Sequence, residues 1–333
     1  MMKKRSSNLS RRRLLASTLA ACVASAWHVP SAVAAEWPDK PLRMFVGYPA
    51  GSGIDSVARQ LARQLEVYTG QAVIVENRPG ALGNIAAQAV AAANGDPNTL
   101  LFTPNSTHAA NIHLFRKLPF DPVKDFTPVA SVATLSFVLV CDPKAIEATN
   151  VTQVIQAIQR EPGRWAYGTG NATGMVAGAM FKSQAGVDLI DVPYKGVPQA
   201  MTDLLGGRLK LVFADATLAI PLVRAGKLRA LAVTGQRRMA ALPQVPTMAE
   251  SGLSGFSLSS WFAVFQSAGV PLKNNERMSA LVQRAMKEPS MAEFLRNIGA
   301  EPEPSSPEEL ARRVNEDTER WGRMVKLAGI EPE

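Results

Sequence analysis

Cysteine and histidine are scarce in this sequence, and their scarcity excludes several kinds of site. The 333 residues include two cysteines and three histidines. If residues 1–34 are removed, as argued below, Cys141 is the one cysteine left, and a lone cysteine cannot form an internal disulfide. His108 and His113 also remain, but they do not form the His-Glu-x-x-His pattern of a zinc site. We therefore expect a fold that depends on its apolar core, with Cys141 in a buried strand and no metal centre.

Signatures of catalysis and nucleotide binding are missing as well. The sequence contains neither a Gly-x-Ser-x-Gly nor a Ser-x-x-Lys motif. Residues 47–52 lack the glycine, lysine and Ser/Thr ending of a P-loop. Residues 168–174 match a dinucleotide turn by glycine count, but Asp191, the one acidic residue near the required distance, lies toward the end of a predicted strand. These absences argue against a nucleotide cofactor, and we expect no other cofactor.

The excess of positive charge is concentrated at the N-terminus. The chain has 36 Lys and Arg against 28 Asp and Glu. Residues 1–34 contain six of the basic residues and no acidic ones, which leaves 30 against 28 in the remainder. A remainder so nearly neutral gives no reason to expect a nucleic-acid partner.

Residues 1–34 have the pattern of an export signal. Basic residues 3–5 precede the Arg11-Arg12-Arg13 run, an alanine-rich apolar stretch and the small-x-small site at residues 32–34. The arginine run also matches a twin-arginine signal, so we expect a periplasmic protein that is exported by that route. Residues 19–22 fit a lipoprotein box as well, and lipidation of Cys22 is the alternative.

The first third of the chain alternates predicted strands with helices. Strands are predicted at residues 42–46, 72–75 and 99–102, and glycine loops follow the first two at residues 47–53 and 77–83. The first helix should bury a face with Val57, Leu61, Leu65 and Tyr68 and end at Gly70, and the second should be capped by Asn84.

The same order returns after residue 164. Strands are predicted at residues 165–167, 188–192, 209–213 and 228–233, and loops follow the first two at residues 168–174 and 193–198. Alternating strands and helices predict mainly parallel sheets flanked by helices, with ligands at the carboxyl ends of the strands.

Two such units predict an α/β, two-lobed periplasmic binding protein fold with a ligand cleft between the lobes. The predicted lobe 1 comprises residues 36–138 and 257–333, and lobe 2 comprises residues 139–256. Apolar residues 126–142 and 261–267 are the expected crossings between lobes. The last helix should open with a capping box at residues 306–309.

The glycine loops are the strongest candidates for ligand binding. Glycine exposes backbone amides, and a following helix N-terminus adds partial positive charge, so such loops bind anions without a cation. His108 could donate to a ligand or simply contact backbone, and Asp215 could accept from a ligand or cap the next helix. Arg78 and Lys195 are more typical of surface partners.

Several distinctive strings are spread over essentially all of the chain after the signal. They are WPDKPL (37–42), VENRPGALGN (75–84), LPFDPVKDF (118–126), VPYKG (192–196), DLLGG (203–207), AGKLRALAVT (225–234), LPQVPT (242–247) and Trp321-Gly322. In these strings the sequence resembles the Bug family of extracytoplasmic solute receptors, which serve tripartite tricarboxylate transporters.

The resemblance implies a monomeric periplasmic receptor for a small carboxylate: a di- or tricarboxylate, an acidic amino acid or an aromatic acid. Its partners would be the membrane permease subunits of the transporter. One ligand carboxylate would be held mainly by backbone amides. The implied site residues are Tyr48, Ala50, Gly51 and Asp55 in lobe 1 and Thr169, Gly170 and Thr173 in lobe 2, with Asn84, Ser106, Thr107 and Asp215 shaping the rest.

The sequence departs from the family in two loops. The first, at residues 48–53, is poorer in proline and glycine than is usual in the family. Residues 168–177 form a shorter loop than usual, with Met175-Val176 where the family commonly has histidine, which could mean a more apolar ligand. Two other functions remain open. A sensory receptor would pass the same signal to a membrane sensor, and a transferase or isomerase would need Asp215 and His108 to converge in the cleft.

Overall fold

Two mixed β-sheets share one long strand. The computed structural model describes residues 37–333, and Lys40–Glu333 form one compact unit. The predicted signal peptide, its cleavage site and Cys22 lie outside the described residues. The strands are β1 (Leu42–Val46), β2 (Val73–Asn77), β3 (Thr99–Pro104), β4 (Phe126–Cys141), β5 (Ala166–Thr169), β6 (Ile190–Pro193), β7 (Leu211–Asp215), β8 (Arg229–Val233), β9 (Ser259–Ser267) and β10 (Ala300–Pro302).

Helices cover both sheets. They are α1 (Gly53–Thr69), α2 (Asn84–Ala91), α3 (Asn111–Leu114), α4 (Val151–Arg160), α5 (Ala172–Ala185), α6 (Val197–Leu205), α7 (Ala216–Arg224), α8 (Leu272–Lys287), α9 (Pro289–Asn297) and α10 (Pro307–Leu327). A short 3₁₀ turn, Ala81–Gly83, and a π-helical turn, Ser106–Ala110, precede α2 and α3.

Strand β4 changes sheets halfway along its length. Residues 126–136 pair with β9 in the first sheet, whose order is β2-β1-β3-β9-β4-β10. Residues 137–141 pair with β7 and β8 in the second sheet, whose order is β8-β4-β7-β5-β6. The predicted crossing at residues 126–142 is therefore confirmed.

The return crossing lies just before β9 rather than within it. The amide of Leu258 still donates to the carbonyl of Thr234 in the second sheet, at 2.8 Å. Two residues later, Ser260 is paired with Leu135 in the first sheet. Both sheet changes fall close to the expected lobe boundaries at residues 138/139 and 256/257, which we keep as our proposed division of the chain.

The α/β binding-protein fold is confirmed, although the sheets are mixed. Strand β1 lies parallel between β2 and β3, and β5 lies parallel between β6 and β7, as the repeated order predicts. The pairs that involve the crossing strands β4 and β9, and the pair of β10 with β4, are antiparallel.

Local sequence signals explain how the helices that flank the site begin and end. Val57, Leu61 and Leu65 are fully buried on one face of α1, which stops where Gly70 adopts the left-handed conformation. The predicted capping box at the start of α10 is present, with reciprocal bonds between Ser306 and Glu309.

The predicted capping role of Asn84 is wrong. Gly83 is the N-cap of α2, and Asn84 is the first helical residue. The side chain of Asn84 turns inward instead, and its Oδ1 accepts a 2.6 Å hydrogen bond from Asn111. A buried amide gains more from this partner than from the helix end, because an unsatisfied buried polar group is costly.

Cys141 closes β4 inside the core, as predicted. It is fully buried, and burial raises the pKa of its thiol to about 11. No helix in residues 37–333 is both long and apolar enough to cross a bilayer. Over the same residues, no group of three or more His, Cys, Asp or Glu side chains is arranged to hold a metal ion.

Candidate ligand-binding site

Alternate residues of the crossing strands form the floor of a cavity between the two sheets. Leu135 and Phe137 of β4 face it, as do Ser260 and Phe262 of β9, since residues two apart share one side of a strand. Leu135 is paired with Ser260, and Phe137 is paired with Asp215. The floor is therefore apolar, with a hydroxyl and a carboxyl at its edges. The complete lining is Tyr48, Ser52, Gly53, Ile54, Pro104, Ser106, Leu135, Phe137, Asn171, Ala172, Thr173, Val197, Asp215, Ser260 and Phe262.

Four helices begin at the walls of this cavity. The lining includes residues at the first turns of α1, α5 and α6 and at the N-cap of α7. The first amides of a helix have no partner within that helix, and the helix dipole places partial positive charge there. The starts of α1, α5 and α6 therefore offer an anion positive potential, whereas the carboxyl of Asp215 stands at the start of α7.

Ser52 leaves a hydroxyl unsatisfied at the first of these helix ends. It is the N-cap of α1, yet its side chain caps no amide of that helix. Its Oγ is buried and finds no hydrogen-bond partner within residues 37–333. Because a buried hydroxyl without a partner is costly, Ser52 is suited to bond a group that enters the cavity.

The start of α5 is organised by Asn171. Its Oδ1 accepts from the amide of Gly174 at 2.8 Å, which satisfies one free amide and fixes the helix end. Thr173, in the first turn, is buried and lines the cavity. The amides of Ala172 and Thr173 come ahead of the capped position, so they lie where an anion would bind.

A tyrosine and a serine connect two loops of lobe 1 at the cavity wall. The hydroxyl of Tyr48 lies 3.0 Å from Oγ of Ser106 and donates to the carbonyl of Leu82 at 3.2 Å. Burial raises the pKa of Tyr48 to about 12. The phenol therefore stays neutral at ordinary pH and does not repel an anion, while its one hydrogen is donated to Leu82.

Asp215 is the one carboxyl among the lining residues. Thr217 donates to its Oδ1, and Asp215 occupies the N-cap position of α7 without a side-chain bond to the amides of that helix. Burial raises the pKa of Asp215 despite the hydrogen bond from Thr217. A ligand that brings a hydroxyl, an amine or a protonated acid to this point would find an acceptor.

None of the residues that line the cavity is Lys, Arg or His, within the part of the chain that the structure describes. A carboxylate here would be bound by hydroxyls and helix amides instead of a counter-ion. The cavity is narrow, since the centre of a water molecule can occupy only about 30 Å³ of it. A ligand of several carbons needs more room than the cavity has in this structure.

A wider mouth of about 470 Å³ adjoins the cavity. Gly47, Tyr48 and residues 80–83 form its lobe 1 side, and residues 169–171 and 193–195 form its lobe 2 side. Lys195 is the one cation on this lining, as far as the described residues go, and Glu331 and Glu333 also border it.

Comparison with known proteins places these features in one family. The chain matches the family described as "Tripartite tricarboxylate transporter family receptor" over residues 57–330. Protein BugT of Bordetella pertussis is 32% identical over 297 residues, which cover 88% of this chain and 90% of BugT. This chain belongs to the tripartite tricarboxylate transporter receptor family.

Solved structures agree with this membership and confirm the predicted resemblance to Bug receptors. The structure of R. palustris Rpa4515 with adipate is 34% identical, with a TM-score of 0.87 over 90% of this receptor and 100% of that chain. MatC from Rhodopseudomonas palustris with bound malate is 28% identical, with a TM-score of 0.82 over 87% of this receptor and 100% of that chain. Family and fold are those of solute-binding proteins.

The receptor gathers six of the eleven predicted site residues around the cavity and its mouth, and their role in binding stays a prediction. Those that line the cavity are Tyr48, Ser106, Thr173 and Asp215, and those that line the mouth are Tyr48, Thr169 and Gly170. Ala50, Gly51, Asp55, Asn84 and Thr107 line neither.

Asp55 and Gly51 serve the loop itself. The carboxylate of Asp55 accepts from the Gly51 amide, from Arg59 and from Asn77, each at 2.9–3.0 Å. Burial alone would raise the pKa of Asp55, but these hydrogen bonds together lower it. The bond between Asp55 and Gly51 therefore shapes the loop before α1, and neither residue lines the cavity or its mouth.

Three other predicted residues also have roles outside the lining. Thr107 bonds Thr103, with 2.7 Å between the two Oγ1 atoms. Asn84 is bonded to Asn111, as described above, and Ala50 is exposed on the outer side of its loop.

His108 lies in the core and not in the cavity. Its ring stacks on Phe265 with centroids 3.7 Å apart, and its Nδ1 lies 2.8 Å from Oγ1 of Thr107. Its Nε2 is buried with no hydrogen-bond partner among the described residues, and burial lowers the pKa of His108 to about 3. The convergence with Asp215 that the enzyme alternative requires is therefore not seen.

Several lining residues were missed from the sequence. Ser52 and Asn171 precede helices, so their N-cap positions could have been found from the pattern. Phe137 and Phe262 lie within predicted apolar crossings and Ser260 directly precedes the second, and nothing in a run of buried residues distinguishes those that face a cavity.

Proposed function

We propose that this receptor captures a small carboxylate between its lobes in the periplasm and delivers it, as a monomer, to the permease of a tripartite tricarboxylate-type transporter. The observation that carries the proposal is the convergence of three helix N-termini and the unpartnered hydroxyl of Ser52 on one cavity whose described lining has no cation. Such a site binds an anionic group through amides and hydroxyls.

The floor indicates what the rest of the ligand would be. Leu135, Phe137 and Phe262 offer apolar surface next to the polar walls. A carbon skeleton, aliphatic or aromatic, buries apolar area there, whereas a chain of hydroxyl groups would lose hydrogen bonds to water. Adipate in Rpa4515 and malate in MatC are examples of small carboxylates in related structures.

We infer binding without chemical conversion of the ligand. The lining has one carboxyl, Asp215, and His108 is buried elsewhere, so no acid–base pair acts across the cavity. Tyr48 supplies a hydroxyl whose pKa of about 12 makes it a donor and not a base at neutral pH.

A thermal-shift screen tests the proposal. Purified protein, shown to be folded and free of co-purified ligand, is heated with adipate, malate, benzoate or the uncharged benzamide at fixed salt. A ligand at a hundredfold excess over its Kd stabilises the folded state by about 2.7 kcal/mol. We expect at least one carboxylate to raise the melting temperature and benzamide to have no effect; no shift with any carboxylate would contradict the proposal.

Ser52→Ala then assigns the shift to the cavity. Removing an unsatisfied hydroxyl should leave the ligand-free protein as stable as the wild type. It should weaken the binding of a carboxylate that bonds Ser52 by roughly 1 kcal/mol, or about fivefold in Kd. Ser56→Ala is the matched control, since Ser56 lies one turn along α1 and bonds the Ser52 carbonyl instead. Equal effects of the two substitutions would place the ligand elsewhere.

A further inference from the structure

A groove adjoins the floor of the cavity along β4. Thr134 and Ser136 line the groove, Phe137 lines the cavity, and Leu135 borders both. The groove has a volume of about 840 Å³. Residues 235–243 of lobe 2 form one side, and residues 296–301 of lobe 1 form the other, so it borders both lobes where the chain crosses between them.

Arginines dominate the lining of this groove. They come from four separate places in the fold: the end of α7, the loop after β8, the end of α9 and the middle of α10. Glu301 is the one acidic side chain among the described lining residues. The arginines are Arg224, Arg237, Arg238, Arg296 and Arg320.

Three of these guanidinium groups are not neutralised by the protein. Arg238 pairs with Glu250 at 2.9 Å, and Arg320 pairs with Asp317 at 3.0 Å. Arg224, Arg237 and Arg296 are exposed and have no ion-pair partner in the part of the chain that the structure describes. Like charges that share one concave surface repel one another unless an anion joins them.

A solvated basic surface does not account for this arrangement. After residue 34 the chain has 30 basic and 28 acidic residues, so a surface of average composition would mix both signs. Helix ends account for Arg224 and Arg296, since cations are favourable in a last turn. They do not account for Arg237 and Arg238, which lie on a loop and face the same groove.

We propose that this groove binds an acidic segment of a partner protein, whose Asp and Glu side chains pair with the arginines across the junction of the lobes. Arginine forms bidentate hydrogen bonds with carboxylates, and its planar donors suit an extended chain that carries several of them. The spread of arginines over both lobes fits a segment better than a single small anion, and the concave shape does not fit a flat membrane surface. The proposal does not depend on which ligand occupies the cavity.

Binding of a fluorescently labelled oligoglutamate peptide to the full chain tests this, with an oligoglutamine peptide as the neutral control. We expect the fluorescence anisotropy of the oligoglutamate to rise and saturate as protein is added. The anisotropy of the oligoglutamine should not change. The double variant Arg237→Glu with Arg296→Glu should weaken oligoglutamate binding on the order of tenfold, because two attractive contacts become repulsive.

The matched control reverses the same number of charges elsewhere. Arg160 and Arg164 are exposed near the end of α4 and do not line the groove. Arg160→Glu with Arg164→Glu should leave oligoglutamate binding close to that of the wild type. Equal losses in the two double variants, or no binding of oligoglutamate to the wild type, would overturn the proposal.

Two further measurements distinguish an acidic peptide from a small anion and from an anionic membrane as the occupant of the groove. Inorganic phosphate that displaces the peptide completely at a matched concentration of charge would show a small-anion site and overturn the proposal. Binding of phosphatidylglycerol vesicles, lost in the groove variant while the peptide fails to bind, would identify a membrane surface and also overturn it. Circular dichroism and thermal unfolding of both double variants show that they are folded, since all four side chains are exposed.

Discussion

Gly53, at the start of α1, faces Asp215, at the end of β7, with no space for a side chain between them. A Cβ atom on Gly53 would lie 2.4 Å from Oδ1 of Asp215 and 1.9 Å from Oγ1 of Thr217. Gly53 belongs to the proposed lobe 1, and Asp215 and Thr217 belong to lobe 2, so this glycine permits the lobes to meet at the cavity.

Gly53→Ala is expected to oppose closure without unfolding either lobe. The added methyl group overpacks the contact between lobes at a cost of about 1–3 kcal/mol, or roughly five- to a hundredfold in the Kd of a ligand that requires closure. Alanine is also the better helix former, so α1 itself should not suffer. Isothermal titration with a carboxylate found in the screen measures the Kd, and urea unfolding without ligand measures stability.

Gly206→Ala is the control, since a Cβ there meets nothing closer than 3.3 Å and lies within lobe 2. It should change neither the Kd nor the free energy of unfolding by much. An unaltered Kd in Gly53→Ala would mean that ligand binding does not bring these residues together.

Gly170→Ala is expected to destabilise the fold itself. A Cβ on Gly170 would lie 2.2 Å from the amide nitrogen of Val197 and 2.3 Å from the carbonyl carbon of Gly196, both in lobe 2. Backbone cannot move aside as a flexible side chain can, so we expect a loss of about 1–3 kcal/mol in the free energy of unfolding even without ligand. Urea unfolding with an unaltered ligand-free stability would contradict this close packing.

Asp215→Asn is expected to stabilise the free protein at neutral pH. Burial raises the pKa of Asp215, so the folded state holds its proton more tightly than the unfolded state does. The contribution of this group to stability is therefore fully present below the unfolded pKa, about 3.9, and is lost as pH rises through the higher folded pKa. The side-chain amide of the introduced asparagine does not titrate, and its oxygen can still accept a hydrogen bond from Thr217.

The measurement is the free energy of unfolding of Asp215→Asn and the wild type across pH. The advantage of the variant should grow as pH rises above about 3.9 and level off above the folded pKa. An advantage that is the same at every pH would show that the carboxyl does not titrate in this way.

His108→Phe is expected to reduce the acid sensitivity of the receptor. Burial lowers the pKa of His108 from 6.5 to about 3, so between these values the unfolded state binds a proton that the folded state rejects. The wild type should lose stability as pH falls through this window, with a slope set by about one proton. Phenylalanine keeps the stacking on Phe265 and removes the titrating group.

Urea unfolding at a series of pH values between 6.5 and 3 tests this for His108. His113→Phe is a control, because His113 bonds the Thr318 carbonyl at the surface of α10 instead of stacking in the core. Parallel pH profiles for the wild type and His108→Phe would show that His108 is not the source of acid sensitivity.

The sequence predicted the parts of the fold that local periodicity determines. The buried face of α1, its end at Gly70, the box at Ser306 and the long apolar strand β4 are each confirmed, because each depends on residues close together in the chain. The antiparallel place of β9 between β3 and β4 depends on strand pairing across more than a hundred residues, and a single sequence gives no signal for it.

The candidate site was predictable to the extent that it consists of helix starts. The loops before α1 and α5 were identified because glycine and polar residues follow buried strands there. The floor was not, because Phe137 and Phe262 differ from other buried aromatics only in which side of the sheet they face. The position of Asp55 outside the cavity lining could not be predicted either, because its partner Asn77 is far along the chain. Its role in binding stays a prediction.

Strand β4 has one further consequence, which follows from its place between two concave surfaces. Phe137 lines the cavity, Thr134 and Ser136 line the arginine groove, and Leu135 borders both, so one short stretch of strand belongs to the two surfaces. A change in the twist of β4 as the lobes move would alter both surfaces in the same instant. Occupation of the cavity would then change the surface that a protein in the groove contacts. No chain of intervening residues would be needed, because both surfaces include the same strand.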